Sequence, residues 1–374
     1  MTIGVDITQL NYIGTGVANY TYQLVKNLLL LDKKNQYKLF YSSLRHHNNL
    51  YLKDLKKLGG RIFAYRFPPY LLKIWWGKRS LFPIDWFTGY CDVFFFSDFL
   101  RPLVNKKTKG ITTIHDLTWK LYPQYHTKNV INAHKIKLQK TIKYGDEIIV
   151  DSYNTKKDLL TLLPQIKKEK IHVIYPGVDQ RFKKINDKNK TNKLLKKYLP
   201  NDIPVSKVNY LLYVGAIEPR KNLDKAINIF HQLINSSKIY SGYKFLIIGK
   251  AGWKNEKIYQ MVKDLNLENK VLFLGYVEDE DLPYFYSYAK ATLYLSSYEG
   301  FGLPVIESAK CQTPVLLYRN SSLKEIFTDD YPYTKEKEEL STLIYLINSK
   351  INPESYLTKD FSWKEAALKF LAII

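Results

Sequence analysis

Residues 296–307 read Ser-Ser-Tyr-Glu-Gly-Phe-Gly-Leu-Pro-Val-Ile-Glu, so two carboxylates, Glu299 and Glu307, flank a glycine-rich turn. Pro304 suits the first turn of a helix, where a missing N–H breaks no hydrogen bond. The backbone N–H groups of Gly300, Phe301, Gly302 and Leu303 would then lie at the helix start, ready to face an anion. Carboxylate oxygens only accept hydrogen bonds. Glu307, expected in the first helical turn, therefore matches a vicinal diol such as a ribose, and Glu299 matches hydroxyls of a second sugar. A phosphate cradle flanked by two hydroxyl acceptors describes a nucleotide-sugar site.

Other segments carry complementary chemistry. Tyr210-Leu-Leu-Tyr-Val-Gly215 is an apolar run ending in a glycine turn, and Arg220 and Lys221 follow just before a helical pattern. An arginine fork beside a lysine point charge suits a diphosphate. The bland alternative is a solvated basic pair, but cations near a helix start oppose its dipole, which favours a functional role. His115 and Asp116 end the run Ile111-Thr-Thr-Ile114, at the rim where open α/β sheets bind ligands. A histidine satisfied locally in a loop is an equal alternative. Asn11-Tyr-Ile-Gly-Thr-Gly16 is a Gly-x-Gly turn after the first strand. It lacks the third glycine of a dinucleotide fingerprint, leaving either approach to a sugar phosphate or a tight connection. Asp279-Glu280-Asp281 has the form of a metal motif, but acidic residues opening a helix are ordinary capping chemistry, and no metal is expected. Lys73-Ile-Trp-Trp-Gly-Lys-Arg79 sets Trp75 and Trp76 among three cations, which fits either a membrane interface or tryptophans buried under a helix.

These residues hang on an alternation of short apolar runs and amphipathic stretches, the pattern of an α/β protein. In the first half, strands are expected at 2–5, 37–41, 61–65, 93–96, 110–114, 147–151 and 171–174, with helices at 17–31, 50–58, 130–144 and 155–163. A Lys/Asn-rich stretch follows Tyr175-Pro-Gly-Val-Asp179 and reads as a connection with a short helix at 193–198. The alternation then restarts, with strands at 210–214, 244–248, 271–274, 291–295 and 314–317 and helices at 223–234, 256–265, 282–289 and 304–309. Two Rossmann-like halves facing one another across a cleft are expected.

The chain has 374 residues, which favours two domains. Two cysteines do not make a disulfide framework, and a reducing compartment is expected. No signal peptide is expected at Met1-Thr-Ile-Gly-Val-Asp, nor an 18-residue apolar span. Lys and Arg exceed Asp and Glu by 57 to 35, a net charge of +22. That charge fits phosphorylated substrates, an anionic membrane surface, or a compositional habit spread over the surface. Nucleic acid ranks lower, because no matching motif is present.

Taken together, the Glu299-to-Glu307 motif, the Glu218-Pro-Arg-Lys-Asn222 run, Thr113-Ile-His-Asp116, Asp151-Ser152, Tyr175-Pro-Gly-Val-Asp179 and Phe361-Ser-Trp-Lys364 resemble the retaining glycosyltransferases of family 4. The resemblance spans nearly the whole chain, and bacterial mannosyltransferase-like members are the most similar in pattern. It implies the GT-B architecture of two facing Rossmann-like domains with parallel sheets and an interdomain cleft. Residues 1–178 would form an acceptor-side domain with the terminal helix 361–374 packed back on it, 179–206 a linker, and 207–360 a nucleotide-sugar domain. It implies that Glu307 holds the donor ribose, Glu299 the transferring sugar, and Arg220 and Lys221 the leaving diphosphate, with His115 near the anomeric centre. Gly16 and Gly215 would line the phosphate side, and Gly249, Lys250, Tyr276 and Val277 would border the base. Gly300, Phe301, Gly302 and Leu303 would meet phosphate or sugar. Some relatives carry a cation where this chain has Ala216, so the clamp would rest on Arg220 and Lys221.

The implied reaction is retaining hexose transfer without a metal or other cofactor, with mannose from GDP-mannose as the leading donor and a glycan or lipid-linked glycan as acceptor. The expected location is the cytoplasm, with peripheral attachment at the inner face of the membrane as a further candidate. An epimerase or hydrolase on the same fold remains an alternative, as does a non-enzymatic basic module for membrane or nucleic acid.

Overall fold

A computed structural model describes residues 1–44, 49–77, 80–97, 99–200, 208–250, 252 and 255–374. Its chain contacts divide it into two compact units, Met1–Gly177 with Phe361–Ile374, and Val178–Asp360.

The first unit is built on a seven-stranded sheet. Its strands are β1 (Thr2–Asp6), β2 (Gln36–Ser42), β3 (Arg61–Tyr65), β4 (Val93–Phe96), β5 (Lys109–Ile114), β6 (Glu147–Val150) and β7 (Ile171–Val173). They run in the order β3-β2-β1-β4-β5-β6-β7, every pair parallel. A parallel sheet covered on both faces needs nearly continuous apolar strands, and Val93–Phe96 is buried at every position. The strand order reverses between β1 and β4, the switch point where open α/β sheets leave a crevice.

Thr15 caps the helix Gly16–Leu31, its hydroxyl accepting from the Ala18 N–H at 3.3 Å. Gly14, at φ +79°, is the residue of this turn whose backbone favours glycine. Gly16 has no such demand, since a Cβ there would meet open space. The terminal helix Trp363–Leu371 packs on Gly16–Leu31, with Trp363 edge-on to Tyr20 at 5.6 Å and Phe370 on Phe95 at 5.0 Å.

The second unit repeats the plan with β8 (Tyr210–Val214), β9 (Lys244–Ile248), β10 (Val271–Gly275), β11 (Ala291–Tyr294) and β12 (Val315–Leu317). Their order is β10-β9-β8-β11-β12, again all parallel, with the switch point between β8 and β11. The helix Leu223–Ser236 lays Leu223, Ile227, Phe230 and Leu233 against Leu211 and Phe245 in the core.

Two expectations need correction, and one pair of alternatives is decided. The stretch read as a linker is not separate where it is described. A helix spans Lys188–Tyr198, and Leu195 and Leu199 pack with Phe182, Tyr210 and Phe285 in the second unit's core. Residues 201–206 lie outside the described residues. The tryptophan pair is core rather than interface: Trp76 is buried and donates its indole N–H to the Phe82 carbonyl, while Trp75 stacks among Phe67, Phe82 and Phe87. Lys78 and Arg79 lie outside the described residues. Asp281 opens the helix Leu282–Tyr288 without a side-chain cap. Its carboxylate instead takes the Tyr198 hydroxyl at 2.5 Å and Lys197 at 3.2 Å, tying that helix to Lys188–Tyr198.

Candidate functional site

Parallel strands end on one edge, so the turns after β8, β9, β10 and β11 are neighbours. They brace one another through the backbone. The Gly215 N–H donates to the Ile248 carbonyl at 2.9 Å and the Gly249 N–H to the Gly275 carbonyl at 2.8 Å. Gly249, at φ +148°, sits so close that a Cβ would lie 1.9 Å from the Gly215 carbonyl oxygen. Only glycine fits that approach. Lys250 lies over the Tyr276 ring at 5.4 Å. Val277 turns its side chain into the core, so this residue offers the rim only its backbone.

The turn after β8 forms a short 3-10 helix, Pro219–Lys221, that ends at Asn222 with φ +49°. A non-glycine residue in this conformation costs roughly 1–2 kcal/mol. Two hydrogen bonds oppose that cost: the Asn222 amide donates to the Leu295 carbonyl and to Ser297 Oγ, both at 2.9 Å. Asn222 thereby fixes Arg220 and Lys221 against the end of β11, and the Ser297 N–H returns a bond to the Arg220 carbonyl at 3.0 Å.

On this frame three predicted residues meet. Lys221 Nζ reaches Glu299 Oε1 at 2.5 Å and the Tyr294 hydroxyl at 3.0 Å. Arg220 Nη1 reaches Glu299 Oε2 at 2.8 Å, and Nη2 reaches Glu218 at 2.6 Å. The Glu299 N–H donates to Ser321 Oγ at 3.0 Å, and Ser322 Oγ donates to the Glu299 and Phe301 carbonyls. Burial opposes ionisation of Glu299, but Arg220 and then Lys221 outweigh it and hold the carboxyl down to about 2. Burial lowers the Lys221 ammonium, with Glu299 pulling it back. Glu299 is therefore an anion that orders both cations, not a hydroxyl acceptor standing apart from them.

Gly302, at φ +114°, turns the chain into the helix Leu303–Lys310; a Cβ there would lie 2.7 Å from the Leu323 side chain. With Gly302 as cap, Glu307 falls in the second helical turn, not the first. Its Oε2 accepts from the buried Tyr286 hydroxyl at 2.9 Å. Burial pushes its carboxyl up to about 7; the Tyr286 bond and Arg181 act downward, Asp279 and Asp179 upward.

In the first unit, His115 follows β5. Its Nδ1 lies 2.7 Å from Asp151 Oδ2 and its Nε2 lies 3.0 Å from the Ser97 carbonyl, while Tyr20 meets the ring edge-on at 4.7 Å. A carbonyl only accepts, so Nε2 carries a proton, and the Nδ1–Asp151 contact holds a second proton between the two groups. Asp116 accepts from the Thr118 N–H and hydroxyl and braces the loop. Gly16 opens its helix in the same unit.

The sequence matches families of known sugar-transferring proteins. The model for "Glycosyltransferase Family 4" matches residues 14–182, and that for "Glycosyl transferases group 1" matches 196–348. The chain is a family 4 glycosyltransferase. It is 27% identical to O-antigen chain mannosyltransferase B of Escherichia coli, over 96% of this chain and 91% of that protein. It is 32% identical to O-antigen chain mannosyltransferase RfbU of Salmonella typhimurium, over 64% of this chain and 60% of that one. The solved structure of Anabaena HepE in complex with UDP-glucose superposes with a TM-score of 0.70 at 14% identity, covering 100% of both chains, which places this enzyme in the same GT-B fold. The reading as a non-enzymatic basic module is thereby set aside.

The sequence reading missed Tyr294, Ser321 and Ser322 around Glu299 and Tyr286 and Arg181 around Glu307, and it quoted Asn222, Ser297, Asp179 and Asp279 without giving them these positions. Asn222 alone had a visible signal, an asparagine just before a helix, a type that tolerates positive φ. Among the described residues, no group of three or more His, Cys, Asp or Glu side chains is arranged to hold a metal ion. No helix among them is long and apolar enough to cross a membrane.

Proposed function

We propose that the enzyme transfers mannose, with retention, from a nucleotide donor to a glycan or lipid-linked glycan, and that GDP-mannose is that donor. The observation that carries this reading is the Glu299–Arg220–Lys221 network at the switch point of the second sheet. Departure of the leaving group builds negative charge on a diphosphate. Two cations already held in place stabilise that charge without reorganising, and no metal is required of the site. In this reading Glu299 turns an oxygen to the sugar hydroxyls, Glu307 takes the ribose diol, and Gly300 to Leu303 face the phosphates. Gly215 and Gly249 keep the rim open, and Lys250 and Tyr276 flank the base.

The bond from the anomeric carbon to the phosphate oxygen breaks while a bond to the acceptor oxygen forms on the same face. The acceptor's proton passes to the departing phosphate, so neither Glu299 nor Glu307 moves a proton. The mannosyltransferase relatives support the choice of sugar. The preference for guanosine diphosphate and attachment at the inner face of a membrane remain parts of the proposal.

A thermal-shift panel of GDP, UDP, ADP and their sugars reads the base directly, because a ligand stabilises the state that binds it. GDP and GDP-mannose should give the largest shifts. Labelled transfer with anomeric analysis of the product then reads the sugar and the stereochemistry. An inverted product, or activity lost to chelation and restored by manganese, would overturn the mechanism.

A further inference from the structure

Arg220 and Lys221 are the cations on which the proposed transfer depends, yet the cluster they belong to carries no net charge. Glu299 takes Lys221 Nζ at 2.5 Å and Arg220 Nη1 at 2.8 Å, and Glu218 takes Arg220 Nη2 at 2.6 Å. Two carboxylates cancel two cations, with all four side chains at most 14% exposed. In so desolvated a place each charge acts strongly on its neighbours. A diphosphate brought to this cluster gains little net attraction unless one carboxylate gives way.

The two carboxylates are not held alike. Glu299 bridges both cations, its N–H donates to Ser321 Oγ at 3.0 Å, and its carbonyl accepts from Ser322 Oγ at 2.9 Å. Glu218 is fixed through its backbone instead. Its carbonyl accepts from the Lys221 N–H at 3.0 Å. The neighbouring Ile217 is bonded both ways to the turn after β9, through the Lys250 carbonyl at 3.2 Å and the Gly252 N–H at 3.1 Å. Gly252 comes so near that a Cβ there would lie 3.5 Å from the Glu218 Cβ. The Glu218 carboxylate, by contrast, accepts one hydrogen bond among the described residues, from Arg220 Nη2. Arg220 does not depend on it for its aim, because Nη1 also donates to the Tyr298 carbonyl and to Glu299, both at 2.8 Å. A rigid backbone thus presents a carboxylate that a single exchange releases.

We propose that Glu218 is a displaceable counter-anion: it holds the Nη2 edge of Arg220 until a phosphate oxygen of the nucleoside diphosphate takes that edge from it. Glu218 returns to Arg220 as the diphosphate departs, which speeds release and spares a buried cation from standing unpaired. It acts through Arg220 and is a positioning residue. This rests on the reading of Arg220 and Lys221 as a diphosphate clamp and adds the group that sets the affinity of that clamp.

Calorimetry with inorganic pyrophosphate and with GDP, UDP and ADP, on the wild type, Glu218→Gln and Glu218→Asp, tests the exchange. Glutamine keeps an acceptor for Arg220 Nη2 and removes the charge, so pyrophosphate and the nucleotide that binds should both bind about tenfold tighter or more. Aspartate keeps the charge and should bring both affinities back to within about threefold of the wild type. A group that only steers Arg220 gives the opposite sign, since its loss loosens the clamp. Affinity unchanged or weaker in Glu218→Gln, or as tight in Glu218→Asp as in Glu218→Gln, would overturn the inference. Urea unfolding without ligand reports that each variant is folded. A crystal structure of the wild-type nucleotide complex gives a second reading that needs no substitution. Arg220 Nη2 should meet a phosphate oxygen there, with the Glu218 carboxylate turned away; a carboxylate still bonded to Nη2 would sink the exchange. If neither the wild type nor Glu218→Gln binds pyrophosphate or any of the three nucleotides, the clamp itself falls, and the inference with it. A wild type that binds a nucleotide, with no gain in Glu218→Gln, removes the inference alone and leaves the proposed function standing.

Discussion

Glu299 and Glu307 lie eight positions apart on one turn, yet Glu299 meets two cations within 2.8 Å while Glu307 meets a neutral tyrosine hydroxyl at 2.9 Å. Their carboxyls are driven apart accordingly, one to about 2 and the other to about 7. Both are desolvated; the difference lies in what replaces the water. Where cations replace it, the charge is locked on and serves as a fixed part of the electrostatic frame. Where a single hydroxyl replaces it, the charge is marginal near neutral pH, and a ligand that donates hydrogen bonds can decide it. The first arrangement suits a group that orders a diphosphate clamp. The second suits a group that completes its partners only when a diol arrives.

The largest expected effect comes from removing the locked charge. Glu299→Ala takes one carboxylate from Arg220, which keeps Glu218 and the Tyr298 carbonyl, and takes the paired carboxylate from Lys221, in a site where all three side chains are at most 14% exposed. Breaking a buried pair in this way costs about 3–5 kcal/mol, read by urea unfolding, and transfer should be lost. Its pH signature is specific. A carboxyl depressed to about 2 contributes stability that is present above its unfolded value of 4.5 and is lost as pH falls toward 2. The wild-type protein should lose stability through that window, and the variant should lose less. Equal acid sensitivity of the two would break the comparison.

Lys221→Met is expected next. It spares the Arg220 half of the clamp, so the chemical step should slow by on the order of 10²–10³ with a smaller change in donor affinity. Single-turnover kinetics beside equilibrium binding separates the two. A loss confined to affinity would mean that Lys221 binds the ground state and the transition state alike.

Glu307→Gln should behave differently in sign. A carboxyl raised to about 7 contributes stability that is full below pH 4.5 and lost as pH rises through 7. Replacing it with an amide removes that loss, so the variant should gain stability over the wild type between pH 6 and pH 8 while binding donor at least tenfold more weakly. A variant that binds donor like the wild type would remove Glu307 from the site.

The two glutamates also show what was legible in the sequence. Their spacing, the glycine turn and Pro304 are local facts, and the helix Leu303–Lys310 begins one residue from where they place it. The β8 turn was equally local: Gly215, Arg220 and Lys221 all lie on the rim. The pairing of Glu299 with Lys221 spans 78 residues, and the Glu307–Tyr286 bond joins two different helices. Contacts of that kind follow from strand order, which sequence periodicity leaves open. The helix Lys188–Tyr198 was shortened for a related reason. Its lysines and asparagines read as a solvated connection, while Leu195 and Leu199, with Leu194 and Tyr198 beside them, form the buried face. Trp75 and Trp76 were left open between two readings, since aromatic–basic composition fits a bilayer surface and a core helix equally well, and packing decides for the core.

The smallest effect is the most discriminating, because it tests what sets Glu307 apart. The Tyr286 hydroxyl is the strongest influence holding the Glu307 carboxyl down against burial. Tyr286→Phe keeps the ring, which packs edge-on against Phe182 at 5.9 Å, and removes only that donor. The carboxyl should then rise above 7. In the proposed function Glu307 binds the donor as a carboxylate, so the pH midpoint of binding should move upward by less than about one pH unit, the equivalent of one hydrogen bond of roughly 0.5–1.5 kcal/mol. At pH 8.5 the variant and wild type should bind donor nearly alike; at pH 6.5 the variant should be several-fold weaker. Among the described residues the Tyr286 hydroxyl donates to Glu307 and not to Glu299, so the acid transition below pH 4 should stay where it is. A midpoint that does not move would mean that Glu307 is not the titrating group, and the contrast between the two carboxylates would then have to rest on geometry alone.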